Sequence, residues 1–358
     1  MGIRPGEVWI MAKIDELFNI LIDRNGSDLH LTAGQPPKVR LHGRIEALDL
    51  PPLTIVDMME YMMEVCEPVR WRKFLDSGDL DFAYSLADRA RFRANYFQHI
   101  HGLGAVFRVI PTEIIPLADL GMPPAVERFV ELRNGLILMT GPTGSGKSTT
   151  LAAIIDMINS QQCKHILTIE EPIEFVHPVK KSVIVQREVG IDVKSFADGL
   201  RIAPRQDIDV ILVGEMRDLE TISLAVSAAE RGLLVFGTLH TNSAAKTIDR
   251  IIDVFPTEQR DAIRAMLAQS LKGVCTQTLC KNADGRGRSA AVELLVSTPA
   301  LSNIIREGKT SKINNIIQTG ADLGMQLMDD SIARLQESGL IDGKEAYLKA
   351  FNKERFQQ

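Results

Sequence analysis

The chain is predicted to be an α/β protein whose larger domain carries a parallel sheet covered by helices on both faces, preceded by a smaller α+β domain. Three observations lead there. Beyond about residue 126, short apolar segments ("GLILMT", "HILTIE", "DVILVGE", "LLVFGTLHT") alternate with helical patterns. Strands buried on both faces read as such continuous apolar runs. Before residue 112 the strand-like segments alternate apolar and polar residues instead. Between the two regions, "PTEIIPLADLGMPP" carries four prolines in fourteen residues, which predicts an extended linker with little helix. The expected domains are therefore 11–112 and 126–358, joined by a linker at 113–125.

Within the first domain, Ile14, Leu17, Phe18 and Leu21 recur at helical spacing between Met11 and Arg24. "SDLHLTAGQPPKVRLHGRI" reads as strands broken at Gly34 and at Pro36–Pro37. A helix is expected near Thr54–Glu67, then strands at "LDFAYSL", "ARFRANYFQH" and "LGAVFRVI". In the second domain, helices are expected from Lys147 and over "LETISLAVSAAE", and the chain reads as mostly helical beyond Ala244, including "PTEQRDAIRAMLAQSLKGV" and "MDDSIARLQESGL". Residues 1–10 precede a second methionine and read as an upstream start or an appended remnant.

Bulk properties exclude several classes. A net charge of −5 over 358 residues provides no overall basic field for nucleic acid or anionic lipid. No apolar stretch reaches the roughly 20 residues that span a bilayer, and no signal-peptide h-region precedes a small-residue cleavage site. A cytoplasmic protein is expected. Cys275 and Cys280 form one pair without a second pair or a nearby histidine, so packed thiols are favoured over a zinc site.

The strongest motif is "GPTGSGKS", Gly141 to Ser148. It matches G-x-x-x-x-G-K-[ST] in full, follows an expected strand and opens an expected helix. Its glycines let backbone N–H groups of Gly141, Pro142, Thr143, Gly144, Ser145, Gly146 and the following helix turn, apart from the proline, close around phosphate oxygens, aided by the helix dipole. Lys147 would reach the β- and γ-phosphates, the Ser148 hydroxyl would ligate Mg²⁺, and Thr149 continues the turn. The expected ligand is a nucleoside triphosphate, ATP, with Mg²⁺.

Other strand ends carry matching chemistry. The run "DVILVGE" ends at Glu215, which would act on Mg²⁺, directly or through its water. "ILTIEEPIEFVH" puts Glu170, Glu171 and Glu174 past an apolar strand, where a carboxylate could take a proton from water; spacing alone does not select one. His240, after "LVFGTL", could sense the γ-phosphate, although a lone histidine after a buried strand is more often structural.

Together "GPTGSGKSTTLA", "ILTIEEPIEFVH", "DVILVGEMRD" and "GTLHTNSAAKTIDRIIDVFP" resemble the secretion ATPase superfamily of type II and type IV pilus systems, and within it the retraction ATPases. The resemblance extends from "GSDLHLTAG" to "IQTGADLGMQ", nearly the whole chain. It implies a homohexamer of subunits with a PAS-like N-terminal domain and a RecA-like P-loop domain. By the same resemblance Glu174 is the working glutamate of its box, Glu215 ends the second motif, and His240 belongs to the histidine box. Arg93 and Arg108 fall where the family supplies arginines to the nucleotide. "SNIIREGK" resembles a segment associated with retraction. The implied function is a motor for pilus retraction at the cytoplasmic face of the inner membrane, peripheral to it, partnered by a platform protein and not by nucleic acid. The alternatives are an accessory or assembly ATPase with weak hydrolysis and, in another class, a nucleic-acid motor. Departures from the family pattern are Leu233 and His101, where a histidine and an arginine are usual, Glu171 for Asp, and Gly199 and Pro204, which weaken the helix expected there.

Overall fold

The computed structural model describes residues 13–41, 43–87, 89–110 and 113–357. The reading of residues 1–10 lies outside them. Two compact units are present, the first ending at Glu113 and the second spanning Ile114–Gln358.

The first unit contains α1 (Lys13–Asp23), β1 (Asp28–Thr32), β2 (Lys38–Leu41), β3 (Arg44–Ala47), α2 (Ile55–Val65), α3 (Pro68–Ser77), β4 (Asp79–Leu86), β5 (Ala90–His99) and β6 (Gly102–Ile110). The strands form one sheet in the order β3-β2-β1-β6-β5-β4, antiparallel throughout. Alternation sends Leu29, Leu31, Phe82, Phe92, Tyr96 and Phe107 into a core with Ile14, Phe18 and Leu21 of α1 and Met58 and Met62 of α2. Phe18 stacks on Phe92 at 4.3 Å and meets Phe107 edge-on at 4.9 Å. Full burial of such a side chain stabilises by about 1.5–3 kcal/mol. A capping box at Thr54 and Asp57 starts α2. Helix α3 was not anticipated; Pro68 opens it and Gly78, at φ +79°, ends it. The sheet's other face is polar. Across it, Arg40, Asp28, Arg108 and Arg93 are register partners in one row.

The second unit contains β7 (Gly135–Thr140), α4 (Lys147–Gln161), β8 (His165–Glu170), β9 (Val183–Glu188), α5 (Phe196–Ile202), β10 (Val210–Val213), α6 (Leu219–Glu230), β11 (Leu234–Leu239), α7 (Ala244–Asp253), α8 (Arg260–Ser270), β12 (Leu271–Lys281), β13 (Arg288–Val296), α9 (Pro299–Arg306), α10 (Ile313–Thr319), α11 (Met328–Glu337) and α12 (Gly343–Lys349). Its sheet runs β13-β12-β7-β11-β10-β8-β9. Six strands are parallel and β13 is an antiparallel edge. β7 and β11 are buried at every residue. Separate apolar clusters pack on the sheet, one including Leu138, Ile169, Val213 and Ile222, the other Ile137, Ile154, Val210 and Phe236. The α/β architecture is thus as expected from the apolar runs.

Two readings are corrected and a third, the interruption near Pro204, is met. The chain beyond Ala244 is not mostly helical: α8 stops at Ser270, and Leu271–Lys281 and Arg288–Val296 are strands. Helix passes to strand with no residue between Ser270 and Leu271, and pairing with β7 decides the outcome. The proline-rich stretch is not simply extended. It holds 3₁₀ turns at Leu117–Leu120 and Pro124–Glu131, and Leu117, Val126 and Phe129 are buried in the second unit's core. Near Pro204 the expected interruption exists, since α5 ends at Ile202 and a 3₁₀ turn, Ala203–Arg205, follows. Yet Ala203 keeps right-handed helical angles (φ −47°, ψ −44°), against the usual effect of a following proline. Gly199 has a packing reason: a Cβ there would lie 2.7 Å from Ile169 Cδ1, so glycine lets α5 approach β8. Among the described residues no helix is long and apolar enough to cross a membrane.

Candidate nucleotide-binding site

Because β7, β8, β10 and β11 run parallel, their carboxyl ends share one edge of the sheet, where α/β folds bind ligands. The phosphate loop leaves β7 through Gly141 (φ +139°), Gly144 (φ +75°) and Gly146 (φ +91°). At Gly141 a Cβ would also meet the Gln277 carbonyl oxygen at 2.2 Å, so both conformation and space require glycine. Pro142 and Thr143 are exposed, whereas Ser145 is buried and its Oγ has no hydrogen-bond partner. Gly146 is the N-cap of α4, which begins at Lys147. The Lys147 amine donates to the carbonyls of Gly141 at 2.8 Å and Pro142 at 3.1 Å. Burial lowers its pKa, opposed by the charges of Glu215 and Glu174, so both carboxylates act on this amine. Ser148 and Thr149, half-buried, continue the first turn.

Glu215 is fixed by its neighbours. Its predecessor Gly214 accommodates the Ile169 carbonyl, which a Cβ would meet at 3.1 Å. Its successor Met216 is buried, seated where a side chain on Gly237 would collide with its sulfur. The Met216 N–H donates to the Thr238 carbonyl at 2.9 Å. The carboxylate therefore stands between Arg217 (Nη2 to Oε2, 2.6 Å) and His240 (Nε2 to Oε1, 3.1 Å). Burial acts to raise its pKa, but the Arg217 hydrogen bond and the charges of His240 and Arg217 hold it below the usual carboxylate value. Glu215, Arg217, His240 and Arg250 help line a cleft of ≈ 240 Å³.

The acidic segment after β8 is held from beneath. Glu170 is buried and accepts from Thr168 Oγ1 at 2.7 Å, and from Gln186 Nε2 and the Glu174 N–H at 3.4 Å each. Gln186, on β9, also accepts from the His177 N–H at 2.9 Å and donates to the Phe175 carbonyl at 2.7 Å. Glu171 faces Arg217 at 3.7 Å, leaving Glu174 as the acid of this segment that acts on Lys147. Ser148, Glu170, Gly214 and Thr238 line a small cavity of ≈ 30 Å³ with His177. The second unit thus brings Lys147, Ser148, Glu174, Glu215 and His240 to one sheet edge.

Arg93 and Arg108 belong to the first unit, directly opposite each other on β5 and β6. Arg108 Nε lies 2.8 Å from Asp28 Oδ1, and Arg93 Nε 3.9 Å from Asp81 Oδ1.

Two residues escaped the sequence reading. Gln277 of β12 backs the phosphate loop: its Oε1 accepts from Thr150 Oγ1 at 3.0 Å, and its amide would meet a Cβ on Gly146 at 2.7 Å. The β-prone run "VCTQT" was the available signal. Glu293 of β13 is buried and accepts from the Ala244 N–H at 2.7 Å, four residues after His240. It also accepts from the Met328 N–H, joining the starts of α7 and α11.

Comparison with known proteins finds relatives along nearly the whole chain. Residues 6–340 match the family model described as Type II/IV secretion system protein. The chain is 48% identical over 343 residues to the type IV pilus retractation ATPase PilT of Pseudomonas aeruginosa, covering 96% of this chain and 99% of that one. It is 48% identical over 318 residues to a twitching motility protein of Neisseria gonorrhoeae, covering 89% and 85%. A crystal structure of the pilus retraction motor PilT with bound ADP superposes with a TM-score of 0.90 at 44% identity, covering 96% and 99%. The Legionella pneumophila ATPase DotB superposes at 0.79 with 28% identity, covering 96% and 97%. With the match running through the first unit and the phosphate-loop unit alike, this chain belongs to the Type II/IV secretion system protein family.

Proposed function

We propose that this chain is an ATP-hydrolysing motor that powers type IV pilus retraction, working as a homohexamer against an inner-membrane platform protein at the cytoplasmic face. The observation that carries the reading is a complete phosphate loop leaving β7 at the sheet edge where Glu174 and Glu215 follow the parallel strands β8 and β10, their charges acting on Lys147. The names borne by the relatives at 48% identity supply the direction of the work.

The residues suit a magnesium nucleotide. The loop's glycines keep its amides clear of side chains, the buried Ser145 hydroxyl has an unused hydrogen-bonding capacity, and the nearby Ser148 and Glu215 offer hard oxygen donors. Mg²⁺, held by Ser148 and, directly or through water, by Glu215, would supply charge neutralisation on the phosphate oxygens. Lys147 and the loop amides hold the phosphates. Glu174 takes a proton from the water that attacks the γ-phosphorus, as the bond to the bridging oxygen of ADP breaks. His240 holds Glu215 and meets the γ-phosphate side of the site, and Arg93 and Arg108 neutralise charge spreading over the transferred group's oxygens.

Complementation tests the reading. A strain lacking its retraction ATPase should regain twitching motility with this chain and not with its Lys147→Ala variant. Restored piliation without motility, or equal rescue by the variant, would refute it.

A further inference from the structure

We infer that Asp28 is a positioning residue for Arg108, holding the guanidinium from behind through Nε so that its two terminal amino groups face outward to a phosphate. The inference rests on the reading of Arg108 given above, and adds the residue that aims it.

The geometry is lopsided in a telling way. The Asp28 side chain is 3% exposed and that of Arg108 is 69% exposed, although the two lie 2.8 Å apart. A fixed acid therefore grips the base of a protruding cation. The hydrogen bond comes from Nε, whereas a fork-to-fork pair with a carboxylate would use up the donors that phosphate recognition needs. Among the described residues, Asp28 is the acid within ion-pair distance of Arg108.

Asp28 is itself set in place. Its Oδ2 accepts from Ser27 Oγ at 2.7 Å and lies 3.4 Å from Arg40 Nε. Register places it directly opposite both Arg40 on β2 and Arg108 on β6. A slip of one residue would turn it to the core face with Leu29 and Leu31. Arg40 also settles the charge balance. One carboxylate against Arg40 and Arg108 leaves a net positive charge, while Arg93, opposite Arg108, is matched by Asp81 at 3.9 Å. The acid thus orients Arg108 without cancelling its charge. The expectation for "GSDLHLTAG" went no further than family resemblance; this gives its aspartate a task.

The test compares ATP turnover in the full chain for wild type, Asp28→Asn, Arg108→Ala and the double variant, with melting and ring formation measured on each. Asp28→Asn should lower kcat about tenfold with KM for ATP nearly unchanged, because a misaimed group loses transition-state contact. Added to Arg108→Ala it should cost nothing further. If Arg108→Ala lowers turnover and Asp28→Asn does not, the positioning role is overturned and the Arg108 reading stands. An undiminished Asp28→Asn loss in the Arg108→Ala background overturns it in favour of a separate structural role. Wild-type turnover in both single variants overturns both ideas. Should Asp28→Asn melt early, Asp28→Glu carries the same cycle: it keeps the charge but displaces the carboxylate by one methylene, so kcat should fall at unchanged melting, and wild-type kcat would overturn the role.

Discussion

Two glutamates stand at the carboxyl ends of adjacent parallel strands, Glu170 closing β8 and Glu215 just past β10, and their surroundings drive them in opposite directions. Burial raises the pKa of both. At Glu170 the partners are the Thr168 hydroxyl, the Glu174 N–H and the Gln186 amide; they offset burial only in part, and the carboxyl stays above its ordinary value. At Glu215, Arg217 and His240 reverse the sign. The lesson is that a strand-end carboxylate takes its chemistry from the side chains beside it, here Arg217 first, not from the dryness of the strand before it. Opposed environments of this kind separate an acid that holds a loop from one that acts as an anion.

The largest expected effect breaks the charged member. Glu215→Ala should reduce steady-state phosphate release by about 10²–10⁴-fold, the range for loss of a positioned acid–base or charge-bearing group, while equilibrium ATP binding stays close to wild type. On the proposed reading, binding rests on the loop amides and Lys147, which this change leaves in place. Turnover near wild type would remove Glu215 from the mechanism.

A smaller effect is expected at Glu170. Glu170→Gln keeps the shape and an acceptor oxygen, so turnover should change by only about threefold or less, within what a modest displacement of Glu174 could cause. Its pH signature should be the mirror image of that at Glu215. A carboxyl with a raised folded pKa binds its proton longer in the folded state, so wild type loses stability as pH rises above the unfolded value of about 4.5. Glu170→Gln should remove that loss. For Glu215 the folded pKa is lowered, so its contribution is present above the unfolded value and disappears as pH falls; Glu215→Gln should remove that gain. Denaturant unfolding of wild type and both variants across about pH 3–8 checks the signs, the Glu215 change falling below the unfolded value and the Glu170 change above it. Two slopes of the same sign would mean that Arg217 and His240 do not overcome the burial of Glu215.

Much of this site was legible because the second unit is built from continuous apolar runs, each ending at a polar residue. "HILTIE" and "GLILMT" coincide with β8 and β7 at both ends, and the phosphate loop carries its own geometry in its glycines. Which of Glu170, Glu171 and Glu174 acts was not legible. The three are separated by Gln186 and Arg217, which come from β9 and from the β10 exit and are remote in sequence. Gln277 and Glu293 were missed for a related reason. They lie on strands whose pairing partners, not their own periodicity, make them strands. The 3₁₀ turns around Leu117 likewise depend on a core that the prolines do not announce.

The comparison can be sharpened with a base in place of an acid. If burial without a sufficient opposing charge disfavours the charged form at the β8 end, then it should lower the pKa of a histidine there as it raises that of Glu170. His177 supplies the case. It is 8% exposed, its Nδ1 has no hydrogen-bond partner, and it lines the same small cavity as Glu170. Burial pushes its pKa down to about 4, with Asp156 opposing and Lys180 assisting. An unfolded histidine takes up a proton near pH 6.5. Between that value and about 4, the unfolded state binds the proton and the folded state does not, so stability falls as pH falls. His177→Gln removes the titration and leaves the main-chain N–H that Gln186 accepts. On lowering pH from 7.5 to 5.5, wild type should therefore lose about 1 kcal/mol more than the variant. Urea midpoints at the two pH values, on the same preparations, read this difference directly. Equal losses would mean that His177 protonates in the folded chain, and that the β8 end is less dry than the raised pKa of Glu170 requires.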